Sequence, residues 1–179
     1  NALRLKRDLS AQNHIGMVYT NKSHDNWSNR VFAIDGKILA KDTYTLRAQG
    51  GFSQTNDNGK AGIIAPMWDV AASANGRKWS GSFSFKAYHG SFSPAVGFIE
   101  REDYVTLSTG PTRRFYGKTG AAIEQLSLSL RVMGNWDYSG FTNGNRPDDR
   151  RIYPSFSLQF RGGWRLTNFT WIETFSYPE

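Results

Sequence analysis

The stretch Gln125-Leu-Ser-Leu-Ser-Leu-Arg-Val-Met-Gly-Asn-Trp-Asp-Tyr138 places Leu126, Leu128, Leu130, Val132, Gly134, Trp136 and Tyr138 in one register. Gln125, Ser127, Ser129, Arg131, Met133, Asn135 and Asp137 fall in the other. Side chains of a strand alternate between its faces, so a period of two held this long points to a β-strand with one apolar and one polar side. Strands of soluble domains usually stop after about five or six residues. A strand crossing a membrane at a tilt needs about nine to eleven. The stretch is therefore either one wall of an unusually wide core or a stave facing hydrocarbon.

The same alternation recurs along the chain. Residues 12–21 carry Ile15, Met17 and Tyr19 in one register, and 29–40 carry Phe32, Ile34, Gly36, Ile38 and Ala40. Tyr44, Leu46, Ala48, Gly50 and Phe52 follow within 42–54, and Trp68, Val70, Ala72 and Ala74 within 64–74. Trp79, Gly81, Phe83, Phe85 and Ala87 alternate with serines in 78–89. Segment 103–115 reads as a strand of ambiguous facing, and 150–161 sets Ile152, Phe156, Leu158 and Phe160 against Tyr153, Ser155, Ser157 and Gln159. A ninth segment, 164–177, has Phe169, Trp171, Phe175 and Tyr177 in one register. No helix is predicted. Asn75-Gly76 predicts a tight hairpin turn because both residue types tolerate positive φ. Pro154, which has no N–H to donate, predicts a strand end or bulge.

Connection lengths alternate as well. Residues 41–42, 75–77, 116–122 and 162–163 are short or fairly short, whereas 22–28, 55–65, 90–102 and 139–149 are long, polar and rich in Gly, Asn and Asp. An up-and-down meander with short turns at one rim and long loops at the other is the plan of outer-membrane barrels. Tyr19, Trp79, Trp136, Tyr138, Trp164 and Tyr177 lie near strand ends, where an interfacial aromatic girdle belongs. Nine strands is an odd count, and an open sheet edge does not survive in hydrocarbon. Either the chain is part of a larger barrel or one of the nine strands is misread.

Composition bears on the alternatives. No run of about eighteen apolar residues occurs, which excludes a transmembrane helix but not a barrel, whose strands mix the two polarities. The 179 residues suit one domain, and 12 Phe, 8 Tyr, 6 Trp and 18 Gly fit long aromatic-rich strands. With no cysteine there is no disulfide framework, thiolate metal site or cysteine nucleophile. The net charge of +7 is spread along the chain; its nearest clusters are Arg4, Lys6 and Arg7 and the pairs Arg77-Lys78, Arg113-Arg114 and Arg150-Arg151, a pattern that argues against nucleic acid. The chain starts at Asn1 without an initiator Met or signal segment. The expectation is a single β-barrel domain over 1–179, a fragment of a longer barrel chain.

Two stretches carry a family resemblance. Leu5-Lys-Arg-Asp8 followed by Ile15-Gly-Met-Val-Tyr-Thr-Asn21, and Phe92-Ser-Pro-Ala-Val-Gly-Phe-Ile-Glu-Arg-Glu-Asp103, resemble the C-terminal barrel domain, of unknown function, of certain bacterial outer-membrane proteins. In those proteins a module similar to carbohydrate-binding family nine precedes the barrel. Pro94, Gly97, Phe98, Arg101 and Asp103 match the second motif, while Ser93 and Ala95 depart from it. The resemblance implies a bacterial outer-membrane location and glycan-related work by the whole protein. It supplies no catalytic residues.

Chemistry-bearing clusters are sparse. His14, His24 and His89 stand near strand ends or loops, and neighbours such as His24 and Asp25 point apart, so exposed loop polarity is preferred to a hydrolase. Asp148-Asp149, the group Glu100, Glu102 and Asp103, and Asn56-Asp57-Asn58-Gly59 lack calcium-loop spacing and read as solvated loops; paired carboxylates for glycosidic chemistry are the alternative. The loop holding Phe92, Pro94, Gly97, Phe98, Arg101 and Asp103 is unusually apolar, and either folds inward as a constriction or packs locally on the rim. Lys37, Arg47, Gln49, Asp69, Lys86, Arg131, Gln159 and Arg161 belong to polar registers and would line a lumen, tuning which solutes pass or simply pairing with one another.

The sequence thus reads as all-β: an up-and-down antiparallel meander of about nine long strands, part of a transmembrane β-barrel. Its partners would be membrane lipid and small solutes, oligosaccharides among them, with no catalytic residue, metal or cofactor assigned. The alternatives are a soluble β-sandwich that binds glycan through exposed aromatics, and a barrel-embedded hydrolase.

Overall fold

The computed structural model describes residues 1–58, 60–97 and 101–176. Twelve antiparallel strands form one sheet in which successive segments pair. β1 (Ala2–Asp8), β2 (His14–His24), β3 (Trp27–Ala40), β4 (Tyr44–Asp57), β5 (Lys60–Asn75) and β6 (Trp79–Tyr88) follow in order. β7 (Tyr104–Thr109) and β8 (Thr112–Tyr116) together fill the place between β6 and β9 (Ile123–Trp136). β10 (Asp149–Phe160) comes next, and β11 (Arg165–Phe169) and β12 (Ile172–Phe175) share its outer edge. One short helix, α1 (Tyr138–Thr142), is the only helix among the described residues.

The expected meander is therefore present, and two differences from it have local causes. A tenth stave, β1, precedes the nine; its seven residues alternate Leu3 and Leu5 with Arg4 and Lys6, too short and too basic to register as a stave. The sixth and ninth staves are each split in two. Pro111, without an N–H, falls in the gap between β7 and β8, and β11 gives way to β12 opposite Pro154. Pro154 itself lies within β10, opposite Leu130 of β9, rather than at a strand end.

Two connections read as long loops are instead tall hairpins. β2 and β3 stay paired up to His24 and Trp27, and β4 and β5 up to Asp57 and Lys60. Asp25 turns the first at φ 49°. These hairpins share a rim with the two long connections, 89–103 and 137–148. Asn75-Gly76 does not form the expected primed turn: neither residue has positive φ, and Asn75 stays in register opposite Ser80.

Register sorts the side chains cleanly. Directly opposed positions share a face, so Leu5, Met17, Ile34, Gly50, Trp68, Ala87, Val105 and Trp136 form one row across the sheet. Ile38, Leu46, Ala72, Phe83, Val132 and Ile152 belong to another on the same face. Most of these side chains are partly or largely exposed, with Ala87 and Val105 buried. Leu128 is 45% exposed, Leu46 43% and Ile34 53%. The accessible surface, 12454 Å², compares with about 8,800 Å² for a compact soluble monomer of this mass. The stave formed by β11 and β12 departs from expectation: Phe169 opposes Ser155 and Phe175 opposes Asp149, so this aromatic register lies on the polar face, while Leu166 and Ile172 keep the apolar one. Tyr177 is outside the described residues.

Aromatics occupy both ends of the apolar face. Tyr19, Phe32 and Phe52 form a row toward the long-loop rim, while Tyr44, Trp79 and Phe115 stand toward the other. Arg113 lies 4.3 Å from the Trp79 ring centroid and 5.3 Å from that of Phe115, a cation held against aromatic faces. Two glycines are covered by tryptophan rings. A Cβ on Gly50 would come within 2.7 Å of Trp68 Cζ3, and one on Gly134 within 2.6 Å of Trp136 Cη2. Gly50→Val is expected to push the Trp68 indole off the sheet and destabilise the fold by about 1–3 kcal/mol. Near-UV circular dichroism and urea titration measure the two effects; an unchanged tryptophan signal at unchanged stability refutes the packing assignment.

Candidate functional site

The polar face carries a continuous belt. Lys6, Gly16, Asp35, Gln49, Asp69, Lys86, Thr106, Asn135 and Asp149 are mutually opposed in sequence across nine staves. The adjacent row holds His14, Lys37, Arg47, Ala71, Ser84, Ser108, Met133 and Arg151. Lys37, Arg47, Gln49, Asp69 and Lys86, read from sequence as one polar set, border a cleft of about 830 Å³ on this face. Arg131 opposes Tyr153 and lines a second hollow of about 470 Å³. Gln159 opposes Gln125 on the polar face, away from both. Arg161 sits in the turn after β10, where its guanidinium donates to the Gly120 carbonyl.

Ion pairs tie charged side chains together on this face, within a stave, between neighbours and across an intervening one. Arg4 grips Asp35 through both carboxylate oxygens, at 2.5 and 2.9 Å, and Lys86 Nζ lies 3.7 Å from Asp69. Arg151 approaches Asp149 at 3.6 Å within β10. Partly exposed pairs of this kind contribute little to stability, and their effect here is to set where charge stands on the face.

Near the long-loop rim the polar register turns apolar. Val31, Ala65 and Met67 are buried on this side, and the cover is Phe92, only 4% exposed, flanked by Tyr88. The loop from 89 is thus folded onto the polar face. Asn29, 1% exposed, fastens it: its Nδ2 donates to the Ser93 carbonyl at 2.7 Å and to Thr55 Oγ1 at 2.9 Å, while its Oδ1 accepts from the Ala95 N–H at 3.0 Å. The Ser93 N–H donates to Ser53 Oγ at 3.0 Å. Of the sequence candidates in this loop, Phe92 anchors the cover and Pro94 is half-buried beside it. Gly97 is exposed, Arg101 lies 5.8 Å over the Tyr104 ring, and Phe98 is outside the described residues. Asp103 accepts from the Tyr138 N–H at 3.2 Å, joining the two long connections, and His89 meets the Tyr138 ring edge-on at 5.0 Å.

Asn29, Ser53, Tyr88 and Tyr104 were not singled out by sequence reasoning. A signal existed: Val31, Ala33, Ala65 and Met67 place apolar side chains in polar registers, which marks a patch needing cover. Tyr88 and Tyr104, directly opposed, stack at 5.4 Å between that patch and the belt.

The strand expected to reach Tyr138 stops at Trp136 because Asp137 caps α1. Its carboxylate accepts from the Ser139 hydroxyl and the Gly140 N–H, and these bonds hold its pKa below the usual carboxylate range. A depressed folded-state pKa gives a contribution fully present above the ordinary carboxylate pKa and lost as pH falls through the folded value. The protection of the Gly140 amide, its exchange rate taken relative to an unstructured peptide at the same pH, is accordingly expected to be high at neutral pH and to fall in acid, and to be low throughout in Asp137→Ala. Equal protection of wild type and variant refutes the cap.

The histidines do not form a nucleophilic site among the described residues. His14 is 3.8 Å from Asp35, His24 is 3.1 Å from Asp25 in an exposed turn, and His89 Nδ1 accepts from the Ser91 N–H. No family model, curated protein or solved structure matches the chain.

Proposed function

We propose that this chain is a segment of a bacterial outer-membrane β-barrel that serves as a membrane anchor or as a channel for small solutes, oligosaccharides among them. The observation that carries the reading is the apolar face: a single sheet presents half-exposed aliphatic rows across its staves, with aromatics toward both rims. Trp136 to Leu126 spans about 33 Å along the strand and about 25 Å in height at a tilt of roughly 40°, the height of an outer-membrane apolar band. A soluble sandwich would need a second sheet against this face, and all twelve strands belong to one.

Ten staves is an even number, as in barrels of this class. Among the described residues β1 does not pair with β11 or β12, so in lipid these edges would join each other or further strands. The resemblance of the β1–β2 and 92–103 motifs to an outer-membrane barrel domain supports the same location. The polar belt, the adjoining cleft and the folded loop favour a solute path, and the stacked Tyr88 and Tyr104 offer flat faces on which a sugar ring can lie.

The test is reconstitution of the full chain into phospholipid vesicles. Resistance to alkaline extraction is expected, together with sugar-dependent swelling if the chain forms a path. Recovery as a folded monomer in detergent-free buffer overturns the reading.

A further inference from the structure

We propose that the polar face holds a binding site for a small multivalent anion, of the phosphate or carboxylate class, built by Lys37 and Arg47 with His14 beside them. The three are successive ladder partners on β2, β3 and β4: His14 opposes Lys37, and Lys37 opposes Arg47. Directly opposed positions bring Cβ atoms to about 5 Å, and like charges placed so destabilise a sheet. A sequence gains nothing structural from that juxtaposition.

The nearby carboxylates do not relieve it. Asp35 is held by Arg4 through two hydrogen bonds and lies 3.8 Å from His14, and Asp69 lies beside Lys86, so neither carboxylate is paired with Lys37 or Arg47. Among the described residues neither Lys37 nor Arg47 forms an ion pair or a side-chain hydrogen bond. Both border the cleft of about 830 Å³, together with the hydroxyls of Thr45, Ser73 and Ser84. Two long cationic side chains from adjacent strands can converge on one anion there, Arg47 through paired N–H groups and Lys37 as a point charge. Hydroxyl donors complete the contacts. An anion so bound removes the repulsion, so the ligand stabilises the sheet that holds it.

The site rests on the proposed function for the solute it would meet, since it faces the path assigned to small solutes, but its existence does not depend on membrane insertion. The experiment is calorimetric titration of inorganic phosphate into the folded full chain in neutral detergent, at constant ionic strength set with chloride. One saturable site is expected, weakened about tenfold in Lys37→Gln and in Arg47→Gln and unchanged in Arg165→Gln, whose residue stands far off at the other end of the sheet. In phosphate-free buffer the first two variants are expected to unfold at higher temperature than wild type, because repulsion is gone. Absence of heat beyond chloride exchange, or equal affinity in wild type and both variants, overturns the site. Phosphate binding by a chain that fails to enter vesicles supports the site while sinking the membrane reading. Vesicle insertion without phosphate binding does the reverse.

Discussion

Leu130→Arg is expected to prevent stable assembly of the chain in a lipid bilayer. Leu130 stands midway along β9, is 40% exposed on the apolar face and opposes Pro154 of β10. If that face meets hydrocarbon, a guanidinium at mid-depth has no water or carboxylate within reach, and the cost is about 2–4 kcal/mol. That is a large share of the stability of an ordinary domain. Ser157→Arg, on the opposite face of β10, is the control: there a charge meets the polar side and assembly is expected to be retained. Vesicle flotation and resistance to urea measure both. Equal assembly of the two variants would falsify the assignment of faces to lipid and water.

The second large effect concerns the folded loop. Asn29→Leu removes three hydrogen bonds and strands the Ser93 carbonyl and the Ala95 N–H against a buried apolar group, at about 1–3 kcal/mol for each group left unsatisfied. Phe92→Ala takes away the cover over Val31, Ala65 and Met67, at about 3–5 kcal/mol. The ladders do not depend on either residue, so the losses should be local: the loop detaches while the sheet survives. Protease cleavage within 91–97 is expected to accelerate in both variants with strand content unchanged by circular dichroism. If the loop narrows a solute path, single-channel conductance rises as well. Global unfolding, or cleavage no faster than in wild type, contradicts the fastening described for Asn29.

Much of this architecture was legible because β-structure writes its facing into a period of two. Leu126 through Trp136 names its own faces, and so do Phe32 through Ala40 and Trp79 through Ala87. Where the period is short or ambiguous the faces are not legible: β1 has too few residues, and in the stave of Phe169 and Phe175 the aromatic register is the one that opposes Ser155 and Asp149 on the polar face, on both sides of the break opposite Pro154. Hairpin heights were misjudged at 22–28 and 55–65 because Asn, Asp, Ser and Thr serve equally in turns and in water-facing strand ends.

The candidate site divides the same way. That Lys37, Arg47, Gln49, Asp69 and Lys86 share a face follows from parity alone. That Lys37 stands opposite Arg47, that Arg4 rather than either of them takes Asp35, and that Asn29 reaches 64 residues along the chain to hold Ser93 are matters of cross-strand register. By itself the sequence determined the strand class, the two faces and the order of the meander, since these depend on alternation and turn chemistry between neighbours. Only the tertiary structure decided which polar groups meet and where the apolar loop lies. Those contacts are set by the relative shift of strands far apart in the chain, and a slip of one residue would exchange every one of them.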